Sequence, residues 1–260
     1  MTMSPVKLER EGFLAELILD SPPLNLFDAT MIASLEEGLA ELTRQPPRAV
    51  LIRAEGKVVS GGVNVSEFDG LLAAGGRELW SRLMDRVIDP VEALPCPVVF
   101  ASHGLTLTAA FELALACDLI LASESAHFGL VEVVVGLTPS MGGPQRLAER
   151  AGSGRARQLV MTGDLFDAGT LERWNVVNAV YPDEELERRS RDLAARLAEG
   201  PTAAHAMTKR IVRAWADEGM KAADRVTREE AADLFETEDL KAAVQTFLRD
   251  GPGNATFEGR

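Results

Sequence analysis

Up to about residue 135 the chain switches repeatedly between short strand-like apolar runs and longer helical ones. A chain built this way buries its apolar residues as helices layered on a sheet, which makes the fold class α/β rather than all-α. The runs "FLAELILD" (13–20), "RAVLIRAEG" (48–56), "PVVFASHG" (97–104) and "DLILASE" (118–124) read as core strands, two of them ended by Gly. Between the first two, Asp28 is positioned as the N-cap of a helix through about Arg44, closed by "QPP". Ile32, Leu35, Leu39 and Leu42 share one face of that helix. A second helical region, about 76–93, ends at "LPCP".

From residue 182 the composition shifts to Ala, Glu, Arg, Leu and Asp at helical spacing, and three helices separated by Gly or Pro breaks are expected. The chain therefore divides into a core over residues 1–195 and a helical region over 196–260 that packs on it and on neighbouring subunits. Trp215, Leu234, Phe235 and Phe247 are the candidates for the apolar face of that region.

The formal net charge of −13 over 260 residues argues against a nucleic-acid partner or an anionic membrane, since either needs a basic face. No window approaches the run of about 18 apolar residues that a membrane span requires. The N-terminal "MTMSPVKLEREG" becomes charged before an export signal could form, so a cytoplasmic location is expected. Cys96 and Cys117 have neither metal-ligand nor redox spacing and read as buried, reduced thiols.

Against this background two acids stand out. Glu112 lies in "LTLTAAFELALAC" and Glu132 in "FGLVEVVVG", each among apolar neighbours where an unpartnered carboxylate is costly. Two such groups near one substrate form a workable acid/base pair, because burial raises their pKa values and mutual repulsion pushes those values apart. Strand, turn and helix around Glu112 leave the amides at the helix start, Ala109 among them, able to meet a negatively charged oxygen. In "GKVVSGGVNVSEF", Gly61 and Gly62 permit close backbone approach and leave the Val63 amide as a second donor. Ser140, in "TPSMGGPQRL", is positioned to cap the helix that follows.

At "PPLNLFDATMIASLEEGL", "VVSGGVNVSEF", "HGLTLTAAFELALACDLILASESAHFG", "EVVVGLTPSMGGPQRL", "LVMTGDLFDAGTLERWNVVNAVYP" and the helical tail, the chain resembles the enoyl-CoA hydratase/isomerase (crotonase) superfamily. The resemblance implies a spiral of ββα units with a C-terminal helical oligomerisation region, giving a homotrimer or homohexamer. It implies hydration of a 2-enoyl-CoA thioester, with coenzyme A part of the substrate and no other cofactor or metal. Val63 and Ala109 then match the amides that hold the thioester oxygen, and Glu112 and Glu132 the acid/base pair. Leu24, Leu26, Gly61, Gly62, Asn64, Ser140, Met141 and Phe247 fall at positions that flank the acyl group or pantetheine.

The sequence also departs from the family pattern. Thr108-Ala109-Ala110 replaces a Gly triplet, and the added methyls are expected to narrow the acyl pocket or change the entry to the helix. Asn64 replaces an Asp, Ser66 a basic residue, and Asp250 a Lys that meets a CoA phosphate, leaving Arg53, Lys57 or Arg249 as substitutes. The alternatives left open are an enoyl isomerase, a hydrolase or decarboxylase using the same oxyanion hole, a carrier-bound pantetheine substrate, and a non-catalytic relative with a blocked pocket.

Overall fold

Every residue of the strand "AVLIRA" except Arg53 is buried, because helices cover both of its faces. In the computed structural model, which describes residues 4–260, this strand is the third of a six-stranded sheet. Residues 1–3, the start of the N-terminal segment read for export, lie outside the described residues.

The chain begins with β1 (Val6–Glu11) and β2 (Leu14–Leu19), an antiparallel hairpin that turns at Gly12 with φ of 57°. Helix α1 (Ala29–Arg44) crosses to β3 (Ala49–Ala54), which lies parallel to β2. The next helical stretch consists of α2 (Ala73–Leu83), a wide turn at Met84–Ile88 and α3 (Asp89–Ala93), and it leads into β4 (Val98–Ser102). Then come β5 (Leu105–Leu107), α4 (Ala109–Ala116), β6 (Leu119–Ser123) and β7 (His127–Gly129). After a 3₁₀ turn at Glu132–Val135 follow α5 (Gly143–Ala151), α6 (Ser153–Thr162), β8 (Phe166–Asp167), α7 (Ala168–Arg173) and β9 (Ala179–Tyr181). Helices α8 (Asp183–Ala198), α9 (Thr202–Glu218), α10 (Met220–Glu229) and α11 (Glu238–Asp250) make up the tail.

The main sheet runs β1-β2-β3-β4-β6-β9, and β5-β7-β8 form a second, smaller sheet. Within the main sheet every pairing from β2 to β9 is parallel. Parallel strands need crossovers, and the crossovers bury both faces, so these strands are continuous apolar runs. On one face Val50, Ile52, Val98 and Phe100 meet Leu35, Leu39 and Leu42 of α1. On the other, Leu51, Val99, Ala101 and Leu121 meet Leu186, Ala194 and Ala198 of α8. The cap at Asp28 forms as expected, its side chain accepting from the Met31 amide at 2.8 Å.

Two elements differ from expectation. Strand β1 gave no apolar signal because it is an edge strand with only Val6 buried, its Lys, Arg and Glu side chains facing outward. The third tail helix is two helices, α10 and α11, separated by a 3₁₀ turn at Ala231–Glu236. Thr237 starts α11 afresh, its hydroxyl accepting from the Leu240 amide at 3.2 Å, with Glu238 and Asp239 suited to the helix N-terminus.

The division at residue 195 falls inside α8, whose last residue is Ala198. Beyond it the tail is tied to the sheet by buried Arg48, which donates to Thr202 Oγ1 at 2.8 Å, Gly200 O at 2.7 Å and Phe257 O at 3.0 Å. Lys209 of α9 pairs with Asp118 at 2.9 Å and donates to Cys96 O at 3.0 Å. Both cysteines are buried and free, and burial pushes the Cys96 thiol up to about 12. Replacing Arg48 with Met keeps most of the side-chain volume and strands three acceptors. The expected loss is about 2 kcal/mol or more, read as a lower thermal midpoint and faster proteolysis near residue 200. An unchanged midpoint would show that the tail does not depend on this anchor.

Candidate active site

Glu112 sits in the first turn of α4 with only 2% of its surface exposed. Its Oε1 accepts from the amides of Met141 at 2.8 Å and Gly143 at 2.9 Å, at the start of α5. A side chain at 143 could not fit, because a Cβ there would lie 2.9 Å from Glu112 Cγ. Gly142, with φ of 86°, turns the chain so that both amides point the same way. Gly142 therefore occupies the cap position of α5 that the sequence suggested for Ser140, whose hydroxyl instead donates to Thr138 O at 3.0 Å. Burial pushes the Glu112 carboxyl up to about 7, the charge of Glu132 adds to the rise, and the Gly143 and Met141 amides oppose it.

Glu132 begins the 3₁₀ turn that ends at Gly136, where φ is 74°. Its buried Oε2 has no hydrogen-bond partner among the described residues, and burial pushes this carboxyl up to about 7 as well. For both groups the folded-state pKa lies above the ordinary 4.5, so their contribution favours folding below that value and is lost as pH rises through about 7.

Both acids line one cavity of about 430 Å³. Its walls are largely apolar and come from separate segments: Phe27 and Ile32, then Val65, Phe68 and Leu71, then Leu79, Trp80 and Leu83, and finally Val134, Val135 and Leu137. Gly61, Val63, Thr108, Ala109, Ser140 and Met141 complete the lining. The cavity remains open with Thr108 and Ala109 in its lining, so the side chains that replace the Gly triplet do not close it.

The amide of Ala109, the first residue of α4, has no acceptor among the described residues. Val63 is held close by, bridged to Phe27 through Phe27 N to Gly62 O at 2.9 Å and Asn64 N to Phe27 O at 3.1 Å. Its own amide donates to Thr108 Oγ1 at 3.0 Å. Gly62 (φ 102°) is required here, since a Cβ would lie 2.7 Å from that same hydroxyl. Thr108 has φ of 48° and ψ of −119°, a conformation that costs a β-branched residue on the order of 1–3 kcal/mol.

Five of the flanking positions lie off the cavity wall. Leu24 and Leu26 lie beside Gly61, Gly62 lies beside Thr108, and none of the three is in the cavity lining. Asn64 is occupied locally, accepting from the Ser66 amide at 3.2 Å and hydroxyl at 2.9 Å. Phe247 is exposed on α11. Of the basic substitutes, Arg53 is engaged by Glu16 and Glu55, each at 2.6 Å, and Arg249 by Asp250 at 2.7 Å, while Lys57 stands exposed. His103 bonds Gly56 O and His127 bonds Ser125 O, and neither lines the cavity. Among the described residues, no group of three or more His, Cys, Asp or Glu side chains is placed to hold a metal ion.

A family model described as enoyl-CoA hydratase/isomerase matches residues 9–259. A crotonyl-CoA hydratase of Syntrophomonas wolfei is 32% identical over 262 residues, covering 98% of each chain. A short-chain-enoyl-CoA hydratase of Clostridium acetobutylicum is 29% identical over 251 residues, covering 95% of this chain and 96% of the relative. Among solved structures, an enoyl-CoA hydratase subunit I of Geobacillus kaustophilus superposes with a TM-score of 0.91 at 29% identity, covering 98% of both chains. With the fold, the family model and full-length relatives in agreement, the chain belongs to the enoyl-CoA hydratase/isomerase family and has its crotonase fold.

Proposed function

We propose that the protein hydrates the C2=C3 bond of a 2-enoyl-CoA thioester. The observation that carries this reading is the convergence of Glu112 and Glu132 on one apolar cavity beside the free Ala109 amide. The surroundings of the two acids differ. Glu112 Oε1 receives two amide hydrogens that offset part of its desolvation, whereas Glu132 Oε2 has no partner among the described residues. Both carboxyls come to about 7, so near neutrality one proton shared between them leaves one base and one acid.

In this cycle Glu112 takes a proton from water as the water oxygen bonds to C3. The C=C electrons move toward the thioester carbonyl, giving an enolate whose oxygen faces the Ala109 amide. Glu132 then protonates C2, and transfer of the water proton from Glu112 to Glu132 restores both acids. The backbone donor is set before reaction and is worth most where water is excluded. Coenzyme A enters as part of the substrate, and the cycle uses no other cofactor. The apolar walls suit an unfunctionalised acyl chain.

Trp215, Met220, Phe235, Val244, Phe247 and Leu248 are exposed on the tail, an apolar surface suited to contact with further copies of the chain in a trimer or a pair of trimers.

Glu112→Gln and Glu132→Gln are each expected to lower the turnover of crotonyl-CoA by about 10²-fold or more with little change in thermal midpoint. Rates within a few-fold of the parent would remove the acid/base assignment. The kcat/KM profile should be bell-shaped around pH 7: acid protonates Glu112 and removes the base, and alkali ionises Glu132 and removes the acid. A profile flat from pH 5 to pH 9 would contradict the pairing. Light scattering should return a multiple of 28.0 kDa, and a monomer at that mass would dismiss the tail contact.

A further inference from the structure

We infer that the Thr108 hydroxyl is a direct donor to the substrate's thioester oxygen, relaying the Val63 amide and completing a hole whose other donor is the Ala109 amide. The inference rests on the reading of this cavity as a thioester site.

Four observations lead to it. The single hydrogen of the Val63 amide is already directed at Thr108 Oγ1, 3.0 Å away, so it is not free for a ligand oxygen. Thr108 is the residue before α4, yet its hydroxyl makes no bond to the helix amides; it reaches across to the neighbouring segment instead. Having accepted from Val63, that hydroxyl keeps its own hydrogen, which has no acceptor among the described residues, and Thr108 lines the cavity next to Ala109. Finally, the backbone holds a β-branched residue at a positive φ, anchored by Thr108 N to Gly129 O at 2.9 Å and Glu112 N to Thr108 O at 2.9 Å. Strain that persists because surrounding bonds over-determine it is characteristic of a working position.

An O–H that accepts one hydrogen bond is a stronger donor in the next, because the two polarise each other. The hydroxyl thus passes the Val63 amide's polarity on to an oxygen bound in the cavity. The thioester oxygen accepts from Thr108 O–H and Ala109 N–H together, and negative charge developing there tightens both bonds.

The test combines kinetics with isotope-edited infrared spectra of bound butyryl-CoA and decanoyl-CoA carrying ¹³C at the thioester carbonyl. Neither ligand can be hydrated, so the spectra report carbonyl polarisation whatever the reaction. In the parent and in Thr108→Ser the bound carbonyl band should lie below that of the free thioester. In Thr108→Val, which keeps the branched shape, much of that shift should vanish. Turnover of crotonyl-CoA should fall roughly 10²-fold in Thr108→Val with KM little changed, and stay within about threefold in Thr108→Ser. Thr108→Gly frees the Val63 amide to donate directly and should remain within about tenfold of the parent.

An unaltered band and rate in Thr108→Val would overturn the inference. A gain of more than about tenfold in Thr108→Gly would also overturn it, by showing that the hydroxyl obstructs the hole. A Thr108-dependent band shift without hydration of any enoyl-CoA would uphold the hydroxyl's role and remove the hydratase reading alone. A parent protein that binds neither ligand would remove both.

Discussion

The grip of two amides on one oxygen of Glu112 is the contact on which the site depends. It fastens α4 to the start of α5, and it dictates glycine at 143 and a left-handed glycine at 142. It also lets a carboxylate lie almost fully buried without being simply neutralised, since the amides offset part of the desolvation. Glu132 Oε2 has no comparable support among the described residues. The two carboxyls reach about 7 by different routes, Glu112 through burial and the Glu132 charge against two opposing amides, Glu132 through burial.

The rest of the fold serves that contact by stiffness. Both faces of the parallel sheet are packed, so the ends of its strands are fixed in space, and the segments carrying Val63 and Thr108 leave β3 and β5 along defined paths. Gly104 allows the chain to turn from β4 into β5, since a Cβ there would lie 2.9 Å from Lys57 O. The site in turn spends stability, with two acids raised toward neutrality and a strained threonine, and the surrounding core offsets the cost.

Much of this could be read in the sequence wherever a local rule and the global fold agree. The four core strands announced themselves because burial on both faces makes them largely apolar, the first of them only by a weak alternation, and α1 did so through its Asp28 cap and apolar stripe. Glu112 and Glu132 were visible because acids stand out among apolar neighbours. What escaped detection lacked a local signature. Strand β1 is an edge with one buried residue, and the α10–α11 break depends on a single threonine cap. The cavity walls come from segments over one hundred residues of chain, and nothing in Leu79 or Val134 marks it as facing a ligand rather than the core. Ser140 looked like a cap by residue type, but Gly142 took the position because only glycine tolerates the backbone required. The Thr108 hydroxyl was signalled only as an unexpected side chain where the family pattern has glycine, and its partner 45 residues away in the chain emerged only from the folded backbone.

The central claim is that the buried carboxyl of Glu112 and the half-buried one of Glu132 share one cavity and titrate near neutrality. Carboxyl ¹³C NMR of protein labelled at glutamate, followed from pH 4 to pH 9 in the parent and in the two Gln variants, reads this directly. Two resonances with midpoints near 7 are expected in the parent, one disappearing in each variant, with the remaining Glu112 signal shifting to lower pH once the Glu132 charge is gone. If every glutamate titrates near the ordinary 4.5, the acids are solvated and the claim fails.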